Sequence, residues 1–120
     1  MKREILFRGK SKSTGEWVFG NLFDKDTKGR THIGTTVRMC FDIDPETVGQ
    51  YTGIDDREGE KIFEGDIFKI GAENNIYTVR FDYGCFLAYE DDVQVGILAE
   101  LATMFIKKIG NIHDNKELLK

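Results

Sequence analysis

The sequence contains few of the residues that build metal centres and disulfide frameworks. Among 120 residues there are two cysteines, two histidines and one proline. Cys40 and Cys85 stand singly in strand-like apolar segments, with no CxxC pair and no histidine at metal-ligand spacing. We therefore expect two buried free thiols that behave as small apolar side chains.

The chain also lacks an excess of positive charge and any long apolar run. Seventeen basic and 21 acidic residues give a net charge of −4, which provides no long-range attraction for nucleic acid. No apolar segment approaches the ~18 residues of a membrane span, and the charged start Met1–Glu4 does not resemble a signal peptide. We expect one cytoplasmic domain, residues 1–120, with no membrane partner and with nucleic acid disfavoured as a partner.

Signatures of catalysis are absent as well. The sequence has no GxSxG, HExxH, phosphate-binding loop or dinucleotide fingerprint. His32 and His113 lie far apart in sequence, and Asp114 would point to the opposite side of a strand from His113. We predict no catalytic residue, no cofactor and no enzymatic activity.

Short strand patterns separated by turns dominate what the sequence does contain. Alternation and composition predict strands over residues 4–8, 17–23, 33–43, 62–70, 77–83, 85–89 and 105–109. Asp44 before Pro45 predicts one helical turn. Val95–Phe105 fits either a helix or a strand, and a short helix is favoured. The pattern indicates a mainly β fold, a small barrel or sandwich of short, mostly antiparallel strands with one or two short helical segments.

The densest local chemistry lies between Pro45 and Ile70. Asp55–Gly59 predicts a tight turn between strands, and Gly65 predicts a bulge at which the chain bends. Several polar and aromatic residues of this stretch form a candidate binding or structural signature. They are Thr47, Gln50, Tyr51, Thr52, Asp55, Asp56, Glu64 and Asp66.

Carboxylates of this stretch admit two interpretations. Asp55, Asp56, Glu58, Glu64 and Asp66 could hold a divalent cation, because hard cations bind several converging oxygens. They do not follow the EF-hand order, however, and no histidine joins them. The favoured interpretation is structural, with turn amides bonded to the aspartates and with Asp66 orienting the bulge. No metal is predicted.

Aromatic residues of the C-terminal half are open to two interpretations too. They are Tyr51, Phe63, Tyr77, Phe81, Tyr83, Phe86 and Tyr89. An exposed row beside Lys61, Lys69 and Arg80 would suit single-stranded nucleic acid. A β domain must fill its interior with such side chains, so a core role is favoured. A small β-barrel that binds single-stranded nucleic acid remains the alternative function.

Three pieces of the sequence together resemble the YopX family of phage and prophage proteins. They are Arg8–Lys10 with Gly15–Gly20, the middle stretch from Thr47 to Ile67, and Ile109–Asn115. Lys116 stands where the family often has proline. The resemblance implies a phage-encoded accessory protein with a mainly β fold that can self-assemble, and it implies no established catalytic residues. We expect a non-catalytic protein-binding or assembly module, a homo-oligomer that also engages a host or phage protein.

Overall fold

The computed structural model describes residues 3–119, which belong to two compact units, Met1–Tyr51 and Thr52–Lys120. Antiparallel strands make up most of the regular structure, so the mainly β prediction is confirmed. Within residues 3–119 neither sheet closes into a barrel. The single domain over residues 1–120 stays a prediction.

The first unit contains four strands and the start of a fifth. They are β1 Phe7–Lys10, β2 Trp17–Phe23, β3 Thr31–Thr36, β4 Met39–Ile43 and β5 Gly49–Asp55. Their order is β4-β3-β2-β1-β5, and the pairs are antiparallel. β1 and β2 pair directly, with Phe7 opposite Gly20 and Lys10 opposite Trp17. Ile33 and Ile43 are fully buried and form the core of this unit.

The prediction of one continuous strand from Ile33 to Ile43 is wrong. β3 and β4 are separate strands of a hairpin. At their connection the Thr36 hydroxyl accepts hydrogen bonds from the N–H groups of Arg38 and Met39, at 3.3 and 3.1 Å. Such a local bond offers the backbone an alternative to strand extension, so the chain turns where the alternating pattern favoured continuing.

A 3₁₀ turn over Pro45–Thr47 confirms the predicted helical turn. The Asp44 carboxylate accepts a hydrogen bond from the Glu46 N–H at 3.1 Å, and proline occupies the first position of the turn. The Thr47 hydroxyl accepts from the Lys10 N–H at 2.8 Å and donates to the Asp44 carbonyl at 2.6 Å. These bonds attach the turn to the end of β1.

The second unit contains the end of β5 and further strands. They are β6 Lys61–Phe63, β7 Asp66–Ile70, β8 Tyr77–Asp82, β9 Cys85–Glu90, β10 Val93–Ile97 and β11 Ile106–Asn111. Five of them form an antiparallel sheet with the order β10-β9-β8-β7-β11, so β10 and β11 are its edges. One cluster of buried side chains forms the core: Ile62, Phe68, Tyr77, Val79, Ala88, Leu98 and Ile106.

Gly65 lies between two separate strands and is not a β-bulge within one strand. The predicted strand 62–70 is divided into β6 and β7. Gly65 has a φ of 92°, in the left-handed region that favours glycine. The predicted bend at this glycine is confirmed, and the predicted bulge is wrong because the two strands belong to different ladders.

The segment Val95–Phe105 begins as a strand and continues as a helix. β10 ends at Ile97 and α1 follows over Leu98–Leu101, a single turn with Leu98 fully buried. The favoured short helix is therefore confirmed, but it starts three residues later than the pattern indicated. A 3₁₀ turn over Lys116–Leu119, which the sequence did not predict, follows β11.

Cys40 and Cys85 are free thiols, as predicted, although both are half-buried and not fully enclosed. Neither therefore behaves as a core side chain in the way the apolar context suggested. Within the described part of the chain, no helix is long and apolar enough to cross a membrane.

Candidate functional site

The eight signature residues are distributed over both units. Thr47, Gln50 and Tyr51 belong to the first unit, and Thr52, Asp55, Asp56, Glu64 and Asp66 belong to the second. In the first unit the Tyr51 N–H donates to the Leu6 carbonyl at 2.8 Å, and Gln50 lies opposite Phe7. Together with the bonds of Thr47, these contacts hold β5 beside β1.

Thr52 plays a similar part at the start of the second unit. Its hydroxyl donates to the Ile62 carbonyl at 2.8 Å and accepts from the Ile54 N–H at 3.2 Å. The side chain thereby joins the last part of β5 to β6. Asp55, which ends β5, is exposed, and Glu64 is half-buried.

Asp56 organises the turn between β5 and β6. Its Oδ1 accepts hydrogen bonds from the N–H groups of Glu58 and Glu60, both at 2.9 Å. Its carbonyl accepts from the Gly59 N–H at 3.0 Å, and its own N–H donates to the Glu60 carbonyl at 2.8 Å. The predicted tight turn is therefore confirmed, with the aspartate bonded to turn amides as the structural interpretation expects.

The same turn covers the outer edge of β11. Asp56 Oδ2 accepts a hydrogen bond from the Lys108 N–H at 3.0 Å, and the Arg57 N–H donates to the Ile106 carbonyl at 2.9 Å. Unpaired main-chain groups at a sheet edge invite pairing with another chain. Residues 56–60, here called the edge-capping turn, occupy those groups from within the chain.

Asp66 and Lys108 form a second connection to β11. Asp66 is fully buried, and its Oδ2 accepts from the Phe63 N–H at 2.7 Å and lies 3.2 Å from Lys108 Nζ. Lys108 Nζ also donates to the Lys61 carbonyl at 3.1 Å. One lysine thus serves both aspartates, Asp56 through its main chain and Asp66 through its side chain.

Sequence reasoning did not identify Lys108 as part of this arrangement. Lys108 lies 52 positions from Asp56 in the sequence, and the local pattern of β11 indicates only a strand. No short-range spacing encodes a contact of that length, so only a three-dimensional structure brings the two together.

These carboxylates do not converge into a cation site. Among residues 3–119 no group of three or more histidine, cysteine, aspartate or glutamate side chains is placed to hold a metal ion. Asp56 and Asp66 instead direct their oxygens at main-chain N–H groups and at Lys108. A binding role for the signature as a whole stays a prediction.

The pKa of Asp56 reports how strongly the edge-capping turn is held. Burial by itself raises this pKa, but the N–H groups of Lys108, Glu60 and Glu58, with the charge of Lys108, outweigh burial. The pKa therefore lies below its ordinary value of 3.8. A carboxyl whose folded-state pKa is lowered stabilises the fold in its ionised form.

Acid is expected to weaken the fold through Asp56. The contribution of Asp56 is complete above the pKa of the unfolded chain, about 3.9, and is lost as the pH falls through the lower folded-state pKa. Urea unfolding of the wild type and of Asp56→Asn should show a difference in unfolding free energy that shrinks below about pH 4. A difference that stays constant down to strongly acidic pH would contradict this account.

The aromatic side chains do not form one exposed row. Four of the seven are buried: Tyr51, Phe63, Tyr77 and Tyr89. Phe86 is half-buried, whereas Phe81 and Tyr83 are 52% and 84% exposed. The buried majority agrees with the core interpretation, and the absence of a nucleic-acid partner stays a prediction.

An open cleft of about 900 Å³ lies in the second unit. Its walls include Lys69, Arg80, Tyr89 and Leu118, and none of the signature residues lines it. Arg80 stacks over the Tyr89 ring at 4.3 Å and pairs with Asp92. The signature and the cleft are therefore separate features of this unit.

Comparison with known proteins identifies a family and a similar solved structure. A family model described as YopX protein matches residues 6–120. The crystal structure of protein EF1440 from Enterococcus faecalis is similar in fold, with a TM-score of 0.60 and 23% sequence identity over 99% of this chain and 100% of that chain. None of the curated proteins matches the sequence.

Proposed function

Because the chain belongs to the YopX family, we propose that it is a non-catalytic protein-binding and assembly module of phage or prophage origin. It acts in the cytoplasm, associates with a second copy of itself and engages a host or phage protein. Two of its signature carboxylates, Asp56 and Asp66, are bonded to main-chain N–H groups of their own chain. These hydrogen bonds support a structural role for the two carboxylates. We therefore place the protein-binding role on other surfaces of the chain.

The proposal rests on the exposed apolar side chains of the β3–β4 hairpin. Val37, Met39 and Phe41 are 71%, 70% and 52% exposed, and β4 is the edge strand of its sheet. Exposed apolar patches of this kind mark interaction surfaces in monomeric proteins. A partner that covers them would remove apolar area from water, which is the main favourable contribution to association.

Only part of the β4 edge is open to a partner. The Lys12 N–H donates to the Asp42 carbonyl, and the Asp44 N–H donates to the Lys10 carbonyl, both at 2.9 Å. These bonds cover the C-terminal end of β4. The proposed contact therefore centres on the exposed side chains at the beginning of the strand.

Introducing lysine at both Val37 and Met39 is expected to weaken self-association at least about tenfold, because two charges would have to be buried in an apolar contact. Sedimentation-velocity and equilibrium experiments over the micromolar range measure the effect. Thr27→Lys, in an exposed loop of the same unit, adds one lysine outside the hairpin and should associate like the wild type. A wild-type protein that stays monomeric throughout would refute self-assembly.

A further inference from the structure

The two edges of the five-stranded sheet differ in how their main-chain groups are used. The β11 edge is occupied by the edge-capping turn, through Lys108 and Ile106. At β10, Val93, Gln94, Gly96 and Ile97 lie opposite residues of β9, a register shift falls at Val95, and the other side of the strand has no partner strand within residues 3–119. Strand addition requires such an open edge, so β10 is the edge of this sheet that can accept a further strand.

The side chains of β10 suit burial under a partner. Val93, Val95 and Ile97 are 65%, 42% and 40% exposed, and the strand carries no charge. All three are β-branched, the type of side chain that packs well on a pleated surface. An added strand would cover them and would complete the hydrogen bonds of the edge.

The sequence segment around β10 carries only acidic charged side chains, although Arg80 of β8 pairs with Asp92. From Phe81 to Ile106 the sequence contains no lysine, arginine or histidine, but it contains five acidic residues. Three of them, Glu90, Asp91 and Asp92, directly precede β10, and Glu100 follows it in α1. Both ends of the open strand are therefore flanked by carboxylates.

This distribution of charge disfavours a second copy of β10 as the occupant. Antiparallel pairing of two β10 strands would bring Asp91 and Asp92, which precede the strand in one copy, toward the end that Glu100 follows in the other. Like charges opposite each other across strands are destabilising. A partner with basic residues at both ends of its strand would instead find opposite charge at both ends of β10.

We propose that β10 is a docking edge for an extended, basic segment of a partner protein, with lysine or arginine on both sides of a short alternating apolar run. The segment adds to the sheet beside β10, its apolar side chains cover Val93 and Val95, and its basic ends lie near Asp91 and Glu100. This inference rests on the proposed protein-binding function and names the chemistry of one partner. Main-chain bonds give affinity in such strand addition, and side chains give specificity.

Synthetic peptides test the inference directly. Fluorescein-labelled KVTVTVK is the probe, and EVTVTVE has the same apolar run with acidic ends. At low salt the basic peptide is expected to bind at least about tenfold more tightly than the acidic one, with a difference that falls as salt is added. Equal affinities, or no binding of the basic peptide, would overturn the proposal.

Substitutions and amide hydrogen exchange show where on the protein the basic peptide binds. Val95→Lys should reduce affinity for the basic peptide about tenfold, and Glu100→Gln about threefold. Glu73 is an exposed carboxylate outside the acidic segment from Phe81 to Ile106. Its replacement, Glu73→Gln, should leave the affinity unchanged. The peptide should also slow amide exchange in Val93–Ile97, a measurement on the wild type that does not depend on any variant folding. Slowing elsewhere, with β10 unaffected, would contradict the assignment.

The outcomes separate this inference from the proposed function. If the wild type self-associates through Val37 and Met39 but does not bind the basic peptide, only the inference about β10 fails. If it neither self-associates nor binds the peptide, both fail. Self-association that Val95→Lys abolishes would identify a second copy as the occupant of β10 and would overturn the basic partner.

Discussion

Replacing Asp66 with alanine is expected to lower the free energy of unfolding by about 3 kcal/mol. Asp66 is fully buried, accepts from the Phe63 N–H and lies 3.2 Å from the ammonium of Lys108, whose side chain is 22% exposed. Alanine would leave a buried N–H and a largely buried positive charge without this partner. Guanidinium unfolding followed by circular dichroism measures the loss.

One further variant separates charge from shape at this position, and a second serves as a control at an exposed carboxylate elsewhere. Asp66→Asn keeps the shape and an oxygen for the Phe63 N–H, but it removes the negative charge beside Lys108, so an intermediate loss is expected. Glu73→Gln removes an exposed charge and should change stability by less than about 0.5 kcal/mol. An Asp66→Ala protein as stable as Glu73→Gln would contradict the structural role assigned to this carboxylate.

Gly34→Ala is expected to open the hairpin that carries the apolar surface, at a cost of about 3 kcal/mol. A Cβ atom at residue 34 would overlap the Met39 carbonyl oxygen and the Cys40 Cα. Both are main-chain atoms of β4, so the overlap can be relieved only if β3 and β4 separate. Thermal unfolding gives the loss of stability, and sedimentation shows whether self-association weakens with it.

Gly29→Ala is the matched control for this substitution. Gly29 has a φ of 76°, and a Cβ there would meet no atom within 4 Å. Its replacement should cost only the backbone strain of a left-handed residue, about 1 kcal/mol. If Gly34→Ala were no more destabilising than Gly29→Ala, close approach of the two strands would not be what residue 34 provides.

Local sequence predicts much of this fold because short β connections are encoded by a few residues. Asp44 with Pro45 specifies the 3₁₀ turn, and Asp55–Gly59 specifies the turn after β5. The failure at Ile33–Ile43 has a local cause as well. Its turn contains neither glycine nor proline and depends on the Thr36 hydroxyl, which an alternating apolar pattern conceals.

The contacts of Lys108 with Asp56 and Asp66 cannot be predicted from local sequence, for a different reason. Composition identified Asp56 and Asp66 as notable, but their shared partner is fixed by strand order in the second unit. The open edge at β10 was partly visible, since Val93, Val95 and Ile97 alternate in the sequence. The helical pattern predicted from Val95 onward is wrong for residues 95–97, which belong to the strand β10.

The bond between Asp56 and Lys108 also has a consequence for the order in which the chain folds. It joins residues 52 apart, and closing so long a loop carries a large entropic cost before any contact compensates it. During synthesis the N-terminal residues emerge first, so the turn at Asp56 exists before Ile106–Asn111 has been made. Until that last strand arrives, β7 has no neighbour on one side. Ribosome-bound chains that stop before residue 106 should therefore be the species most prone to pair with one another, and completion of β11 should end that vulnerability.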